Sequence, residues 1–266
     1  MNLANDQNII SRPVTRVTEA KTGVFDDQII REIPATIYLN GKEFVTLLCS
    51  PGGLKELAVG FLCSEGVLTS RADLRNIFLD EEDQGIIWVE TAEKEMYAEK
   101  SFLKRYITSC CGRSRSAVYF ANDTLTCMQV NTELTLSFRE VRDIAHCLEE
   151  TSLVFRETGG VHNAGLFSST KLLIFQMDIG RHNALDRIYG RCFLENMLLI
   201  DKVLAFSGRI SSEIVLKVSK MGVPILISRS APTDLALRLA EEFGITIAGF
   251  VREERMNLYT NEWRIK

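Results

Sequence analysis

Between residues 203 and 252 the chain reads Val203-Leu204-Ala205-Phe206-Ser207-Gly208-Arg209, then Pro224-Ile225-Leu226-Ile227-Ser228-Arg229-Ser230, then Thr246-Ile247-Ala248-Gly249-Phe250-Val251-Arg252. Each run is a short apolar block that stops at small or polar side chains and an arginine. The stretches between them, 213–221 and 233–243, carry apolar residues at helical spacing. Strand, helix, strand, helix, strand in this order predicts a sheet that is largely parallel here, with helices packed on it. Upstream, a helix is expected over 183–198, and two apolar runs, 164–168 and 171–177, can pair as strands. Ser137 followed by Glu140 is a capping box that opens a helix running to about residue 153.

The first half of the chain has a different grammar. Residues 1–30 read as a loosely tethered arm with an edge strand over 14–17. Two runs rich in Ile, Val, Tyr and Thr flank Asn40-Gly41, the preferred dipeptide of a type I′ turn, so 35–48 is a hairpin. Pro51-Gly52-Gly53 is a break, 54–68 a helix, 80–84 an acidic turn and 85–91 a strand. The fold class expected is α/β: a mixed sheet with flanking helices over residues 136–266, plus a smaller α+β part over residues 1–135.

Composition narrows the function. With 266 residues and 46% apolar side chains, the chain can bury a sizeable core without disulfides. Its net charge of −4 offers no global attraction to nucleic acid, although a local basic cluster can still hold a small anion. No run of 18 apolar residues is present, so no membrane span is expected. The N-terminus lacks the apolar core of a secretory signal, which points to the cytoplasm. Seven cysteines without regular spacing argue against a disulfide framework; Cys63 and Cys147 read as packing residues.

Cys110-Cys111 reads differently. Lys104, Arg105, Arg113 and Arg115 flank the pair, and cationic neighbours favour the nucleophilic thiolate. A thiolate can accept sulfane sulfur as a persulfide and pass it on by the displacement chemistry of thiol–disulfide exchange. No metal site is expected: the zinc deaminase pattern fails, because His162-Asn163-Ala164 lacks the glutamate and no Cys-x-x-Cys exists. Thr158-Gly159-Gly160-Val161-His162-Asn163 could bring backbone and His162 close to a phosphate or a base edge. Asp178-Ile179-Gly180-Arg181-His182-Asn183-Ala184-Leu185-Asp186 follows a strand and opens a helix, where free N–H groups and Arg181 suit an anion; Asp186 could instead hold Arg181 or His182. Ser207-Gly208-Arg209 and Ser228-Arg229-Ser230-Ala231-Pro232-Thr233 repeat the pattern. Phe250-Val251-Arg252-Glu253-Glu254-Arg255 closes it: an aromatic ring to stack on a base, arginines for phosphates, carboxylates for the N1 and N2 donors of guanine. In open α/β sheets ligands sit beyond the carboxyl ends of the strands, where Ser207-Gly208-Arg209, the segment 228–232 and the segment 252–255 are expected to fall.

Taken together, Gly60-Phe61-Leu62-Cys63-Ser64-Glu65-Gly66, Thr158-Gly159-Gly160-Val161-His162, the segment 178–186, Ser207-Gly208-Arg209-Ile210-Ser211, Ser230-Ala231-Pro232-Thr233 and the closing 249–260 resemble the formate dehydrogenase accessory sulfurtransferases. The resemblance implies a cytidine-deaminase-like fold without zinc, and a cysteine desulfurase as sulfur source. It implies binding of the bis-molybdopterin guanine dinucleotide molybdenum cofactor, with GDP-like nucleotides as analogues, and sulfur delivery for formate dehydrogenase. The family's cofactor-tail segment falls on residues 250–255, and its cysteine loop on Ser109-Cys110-Cys111-Gly112. Here the sequence departs from the Cys-x-x-Cys pattern, since Arg113 stands three residues after Cys110. An ungapped loop makes Cys110 the persulfide carrier; a one-residue shift names Cys111. His162, Arg181, His182, Ser207, Gly208, Arg209, Ser228 and Ser230 complete the expected cofactor site. Two guanine tails on one cofactor favour a symmetric homodimer. The alternative is a cofactor chaperone that binds the nucleotide and transfers nothing.

Overall fold

The computed structural model describes residues 7–83, 85–92, 106–107 and 127–266. Its larger sheet has six strands: β8 (His162–Ser168), β9 (Lys171–Asp178), β10 (Val203–Phe206), β11 (Ile225–Ser228), β12 (Thr246–Gly249) and β13 (Asn257–Thr260). They lie in the order β13-β12-β11-β10-β8-β9. β10, β11 and β12 are parallel, as the strand–helix alternation requires, whereas β8 runs antiparallel to β9 and β10, and β13 antiparallel to β12. The sheet is therefore mixed.

Alternation along the strands sorts side chains between two helical layers. Phe167, Val203, Ala205, Ile225, Ile227 and Ala248 pack against α2 (Phe138–Thr151). Leu166, Leu204, Phe206, Leu226 and Ile247 pack against α4 (Arg181–Leu194), α5 (Ser212–Met221) and α6 (Asp234–Glu242). The Ser137 capping box forms as expected: the Glu140 N–H donates to Ser137 Oγ at 3.2 Å, and the Ser137 N–H donates to Glu140 Oε2 at 2.8 Å. The helix stops at Thr151, and Ser152 caps a further short helix, α3 (Leu153–Thr158).

A second, five-stranded sheet has the order β5-β6-β3-β4-β7. It comprises β3 (Ile33–Leu39), β4 (Lys42–Cys49), β5 (Leu74–Leu79), β6 (Ile86–Thr91) and β7 (Tyr106–Ile107). Asn40 and Gly41 both take positive φ, as a type I′ turn demands. One face of this sheet packs on α1 (Leu54–Ser64) through Ile37, Leu47, Ile87 and Val89. The opposite side of α1 crosses α4 at two glycines. A Cβ on Gly60 would stand 1.7 Å from the Asp186 carbonyl oxygen, and one on Gly190 would stand 1.9 Å from that of Glu56. The residues read as an arm form a ribbon instead, with β1 (Ile9–Val17) paired along its length to β2 (Thr22–Ile30). Among the described residues, no helix is long and apolar enough to cross a membrane.

Buried charges tie the two sheets together. Asp178, at the end of β9, is fully buried, and Arg187 of α4 is 2% exposed. The Arg187 guanidinium donates to Asp178 Oδ2 at 2.6 and 2.9 Å and to the Ser50 carbonyl at 2.7 Å, and it also reaches the Gly52 carbonyl. The Ser50 N–H donates to Asp178 at 3.1 Å, and the Asn183 amide bridges Asp178 and the Leu48 carbonyl. The Pro51-Gly52-Gly53 break after β4 is thus clamped to the turn that opens α4.

Candidate functional site

β8 runs against its neighbours, so its first residue lies beside the last residues of β9 and β10: His162 pairs with Asp178, and Ala164 with Phe206. The carboxyl ends of β9, β10, β11 and β12 therefore share one rim with His162. The Asn163 N–H donates to Ser207 Oγ at 3.0 Å, and His162 Nδ1 stands 3.3 Å from the same hydroxyl. Ser228 joins the next two strand ends: its Oγ donates to the Gly208 carbonyl at 2.8 Å and accepts from the Ser230 N–H at 3.0 Å. The Val251 N–H donates to the Ser228 carbonyl, and the Phe250 N–H to that of Ser230, both at 3.2 Å.

The expected cofactor residues fall into two groups at this rim. His162, Arg181, His182, Ser207 and Gly208 lie on the side of α4 and α5. A Cβ on Gly208 would meet the Phe206 ring at 2.8 Å and Arg181 Cβ at 3.3 Å, so the bare backbone is what lets the two turns approach. His182 Nε2 stands 3.1 Å from Glu213 at the start of α5. Burial holds the pKa of His182 below its ordinary value, against the opposing pull of Glu213. Burial lowers that of His162 too, with Arg181 and His182 adding to the effect. Arg181 Nε and Ser211 Oγ are buried without a hydrogen-bond partner among the described residues. Unsatisfied buried donors are rare in folded proteins, and two at one rim suit a ligand rich in acceptors.

The second group lies on the α2 side. Arg229, Val251, Arg252, Glu253, Glu254 and Arg255 line an open cleft of about 320 Å³ with Arg142, Ala145, His146 and Glu149 of α2. Four arginines face three glutamates there, so the cleft is only mildly positive. Arg229 is ion-paired to Glu149. Arg252 Nη1 donates to the Arg229 carbonyl at 2.9 Å and to its neighbour's, Val251, at 2.8 Å, which fixes its guanidinium at the mouth. Phe250 is 38% exposed and held at a left-handed φ of 49° between the groups. A bulky residue there is a backbone outlier of the kind that gathers at ligand sites. Ser230 is half-buried, and Arg209 is exposed beside Gly208.

Several roles differ from the sequence reading. Asp186 holds neither Arg181 nor His182. It accepts from Lys217 Nζ at 2.5 Å and from Ser64 Oγ at 2.6 Å, because five residues of helix turn it inward towards α1 and α5. Asn163 is also turned inward, its Oδ1 accepting from Ser152 Oγ at 2.7 Å. Gly159 ends α3 with a left-handed φ of 64°, and Gly160 packs on Ile30, so the glycine pair shapes a cap and a ribbon contact. Arg142, His146 and Glu149 were not legible as site residues. Their spacing on one stripe of α2 was the sole signal, and any amphipathic helix has such a stripe.

Cys110 and Cys111 lie outside the described residues. Of the five cysteines within them, Cys49, Cys63 and Cys192 are buried. Burial pushes the Cys49 and Cys192 thiols up to about 12 and raises that of Cys63 as well, so all three stay protonated at neutral pH. Burial also raises the Cys127 thiol. Cys147 is half-buried on α2. None of the three deeply buried thiols suits a nucleophilic carrier.

The sequence profile of the FdhD/NarQ family matches residues 30–266. The chain belongs to the FdhD/NarQ family. Among this family's proteins it is similar to the sulfur carrier protein FdhD of Bacillus pumilus, at 48% identity over 239 residues and 90% of each chain. It is 43% identical to that of Bacillus subtilis over 262 residues, covering 98% of this chain and 99% of the relative. In structure it resembles a protein from Desulfotalea psychrophila described as a candidate formate dehydrogenase accessory protein. The TM-score is 0.79 and the identity 25%, over 97% of this chain and 99% of that one.

Proposed function

We propose that this FdhD/NarQ protein accepts persulfide sulfur from a cysteine desulfurase on Cys110 or Cys111 and transfers it to the bis-molybdopterin guanine dinucleotide cofactor of formate dehydrogenase. The observation that carries this reading is the rim: the ends of four strands, two buried polar atoms without partners among the described residues, an exposed aromatic ring and Arg229, Arg252 and Arg255 converge beyond the carboxyl edge of one sheet. That donor set fits a guanine nucleotide diphosphate. The relatives named as sulfur carriers support the transfer.

In the first step the thiolate attacks the outer sulfur of the desulfurase persulfide, whose cysteine leaves as a thiolate. The new persulfide then presents its terminal sulfur to the reduced metal centre of the bound cofactor substrate: the S–S bond breaks as the metal–sulfur bond forms, the metal supplies the two electrons, and the carrier cysteine leaves as a thiolate. Arg181, Arg229, Arg252 and Arg255 hold the phosphates, and Phe250 stacks on guanine. This remote binding energy orients the metal centre for sulfur delivery. Two guanine tails would engage two such rims in a homodimer.

Mass spectrometry after incubation with a cysteine desulfurase and cysteine tests the first step. A gain of one sulfur on the peptide carrying Cys110 and Cys111 is expected. The variant with both cysteines changed to Ala should fail to activate formate dehydrogenase. Full activation by that variant would leave only a cofactor chaperone.

A further inference from the structure

The stripe of α2 that carries Arg142, Ala145, His146 and Glu149 faces the cleft, while Val141, Ile144 and Leu148 of the same helix are buried against the sheet. The cleft therefore has two walls, one from the 251–255 turn and one from a helix well apart from it in sequence. Its volume of about 320 Å³ lies at the lower end of small-molecule sites. The cations on the two walls are engaged differently. Arg142 pairs with its chain neighbour Asp143 at 2.8 Å on the surface, a contact that is readily exchanged. Arg229 is held by Glu149 from across the cleft.

From this arrangement we propose that α2 is the second wall of the nucleotide site, with Arg142 and His146 contacting the diphosphate and Glu149 competing with it for Arg229. The inference rests on the guanine-nucleotide reading above and adds residues to it. A diphosphate entering between the walls meets Arg252 and Arg255 on one side and Arg142 on the other. To reach Arg229 it must displace the Glu149 carboxylate. Glu149 thus neutralises the empty site and weakens binding of the full one, which suits a carrier that must release its cargo.

The test is calorimetric titration of the full-length protein with GDP. Arg142→Ala should weaken binding about tenfold, the loss of one charged phosphate contact, and Arg142→Lys should restore part of it. His146→Ala should weaken binding by a smaller factor. Glu149→Gln should tighten binding roughly three- to fivefold, the release of one exposed ion pair. All these positions are on the helix surface, and unchanged urea midpoints would confirm intact folding. If Arg252→Ala abolishes binding while Arg142→Ala and Glu149→Gln stay within twofold of the parent, the nucleotide reading stands and the α2 wall is wrong. If Glu149→Gln weakens binding, Glu149 contacts the ligand and the competitor role is overturned. If the parent protein does not bind GDP, the reading and this inference fall together.

Discussion

Replacing Asp178 with Ala probes the joint that sets the rim in place. The carboxylate accepts five hydrogen bonds: from the N–H groups of Ser50 and Gly180, from the Asn183 amide, and twice from Arg187. Arg187 is 2% exposed, so the substitution leaves a guanidinium without its counterion and out of reach of water. Removing one partner of such a pair costs about 3–5 kcal/mol. Arg187 keeps the Ser50 and Gly52 carbonyls as acceptors, which places the expected loss near the lower end, about 3 kcal/mol. For a chain of this size that lowers the melting temperature by roughly 6–12 °C. Urea denaturation of four proteins closes the cycle: the parent, Asp178→Ala, Arg187→Met and the double variant. The double variant should be more stable than the sum of the two single losses implies, by about 2 kcal/mol, because it removes both charges. A loss below about 1 kcal/mol for Asp178→Ala, or strict additivity in the cycle, refutes the claim that this pair holds the two sheets together.

Three further outcomes are expected. Gly60→Ala places a methyl group on the Asp186 carbonyl and must push α1 and α4 apart, costing upwards of about 3 kcal/mol in urea denaturation; a neutral effect would show that the crossing is loose. Phe250→Gly relieves the left-handed φ and should raise stability by about 1 kcal/mol while weakening GDP binding, a split that a purely structural phenylalanine would not give. His162 and His182 are half-buried, with pKa values held below the ordinary imidazole value chiefly by desolvation, so the unfolded chain binds more protons than the native one in acid. Their contribution to stability is complete above the ordinary imidazole pKa of about 6.5 and is lost as the pH falls from there towards their lowered folded-state values. Urea midpoints at pH 7.5 and 5.5 should differ in that sense, and His182→Gln should shrink the difference; greater stability at the lower pH would contradict the burial argument.

What could be read from the sequence was what local chemistry decides. The Asn40-Gly41 turn, the Ser137 capping box and the strand–helix alternation over 203–252 each depend on neighbouring residues, and each is present. Of the ribbon, only the end of β1 was read, as an edge strand over 14–17; the rest was missed because most of its residues are exposed, so no alternation marks either strand. β5 and β13 escaped for a similar reason: both are mostly exposed sheet-edge strands. Helix ends moved where a single backbone setting overrode the apolar pattern. That pattern continues past α1 to Leu68, but Gly66 turns left-handed, and the Leu68 N–H folds back to the Leu62 carbonyl.

The site divides along the same line. Strand-end residues could be placed at one rim, because parallel strands bring their carboxyl ends together whatever their partners are. Which of the charged residues near them face a ligand could not be read, because that depends on elements far away in the chain. Asp178, Asp186 and Arg187 lie within the same short segment as Arg181 and His182, yet Ser50, Ser64 and Lys217 draw them inward. The consequence is functional as well as descriptive. Arg181 begins the helix whose opening turn Asp178 pins through Gly180 and Asn183, so the reach to a phosphate proposed for it depends on packing between two sheets. If the rim holds a nucleotide as proposed, substitutions at the hidden Asp178 should therefore weaken GDP binding although Asp178 is fully buried.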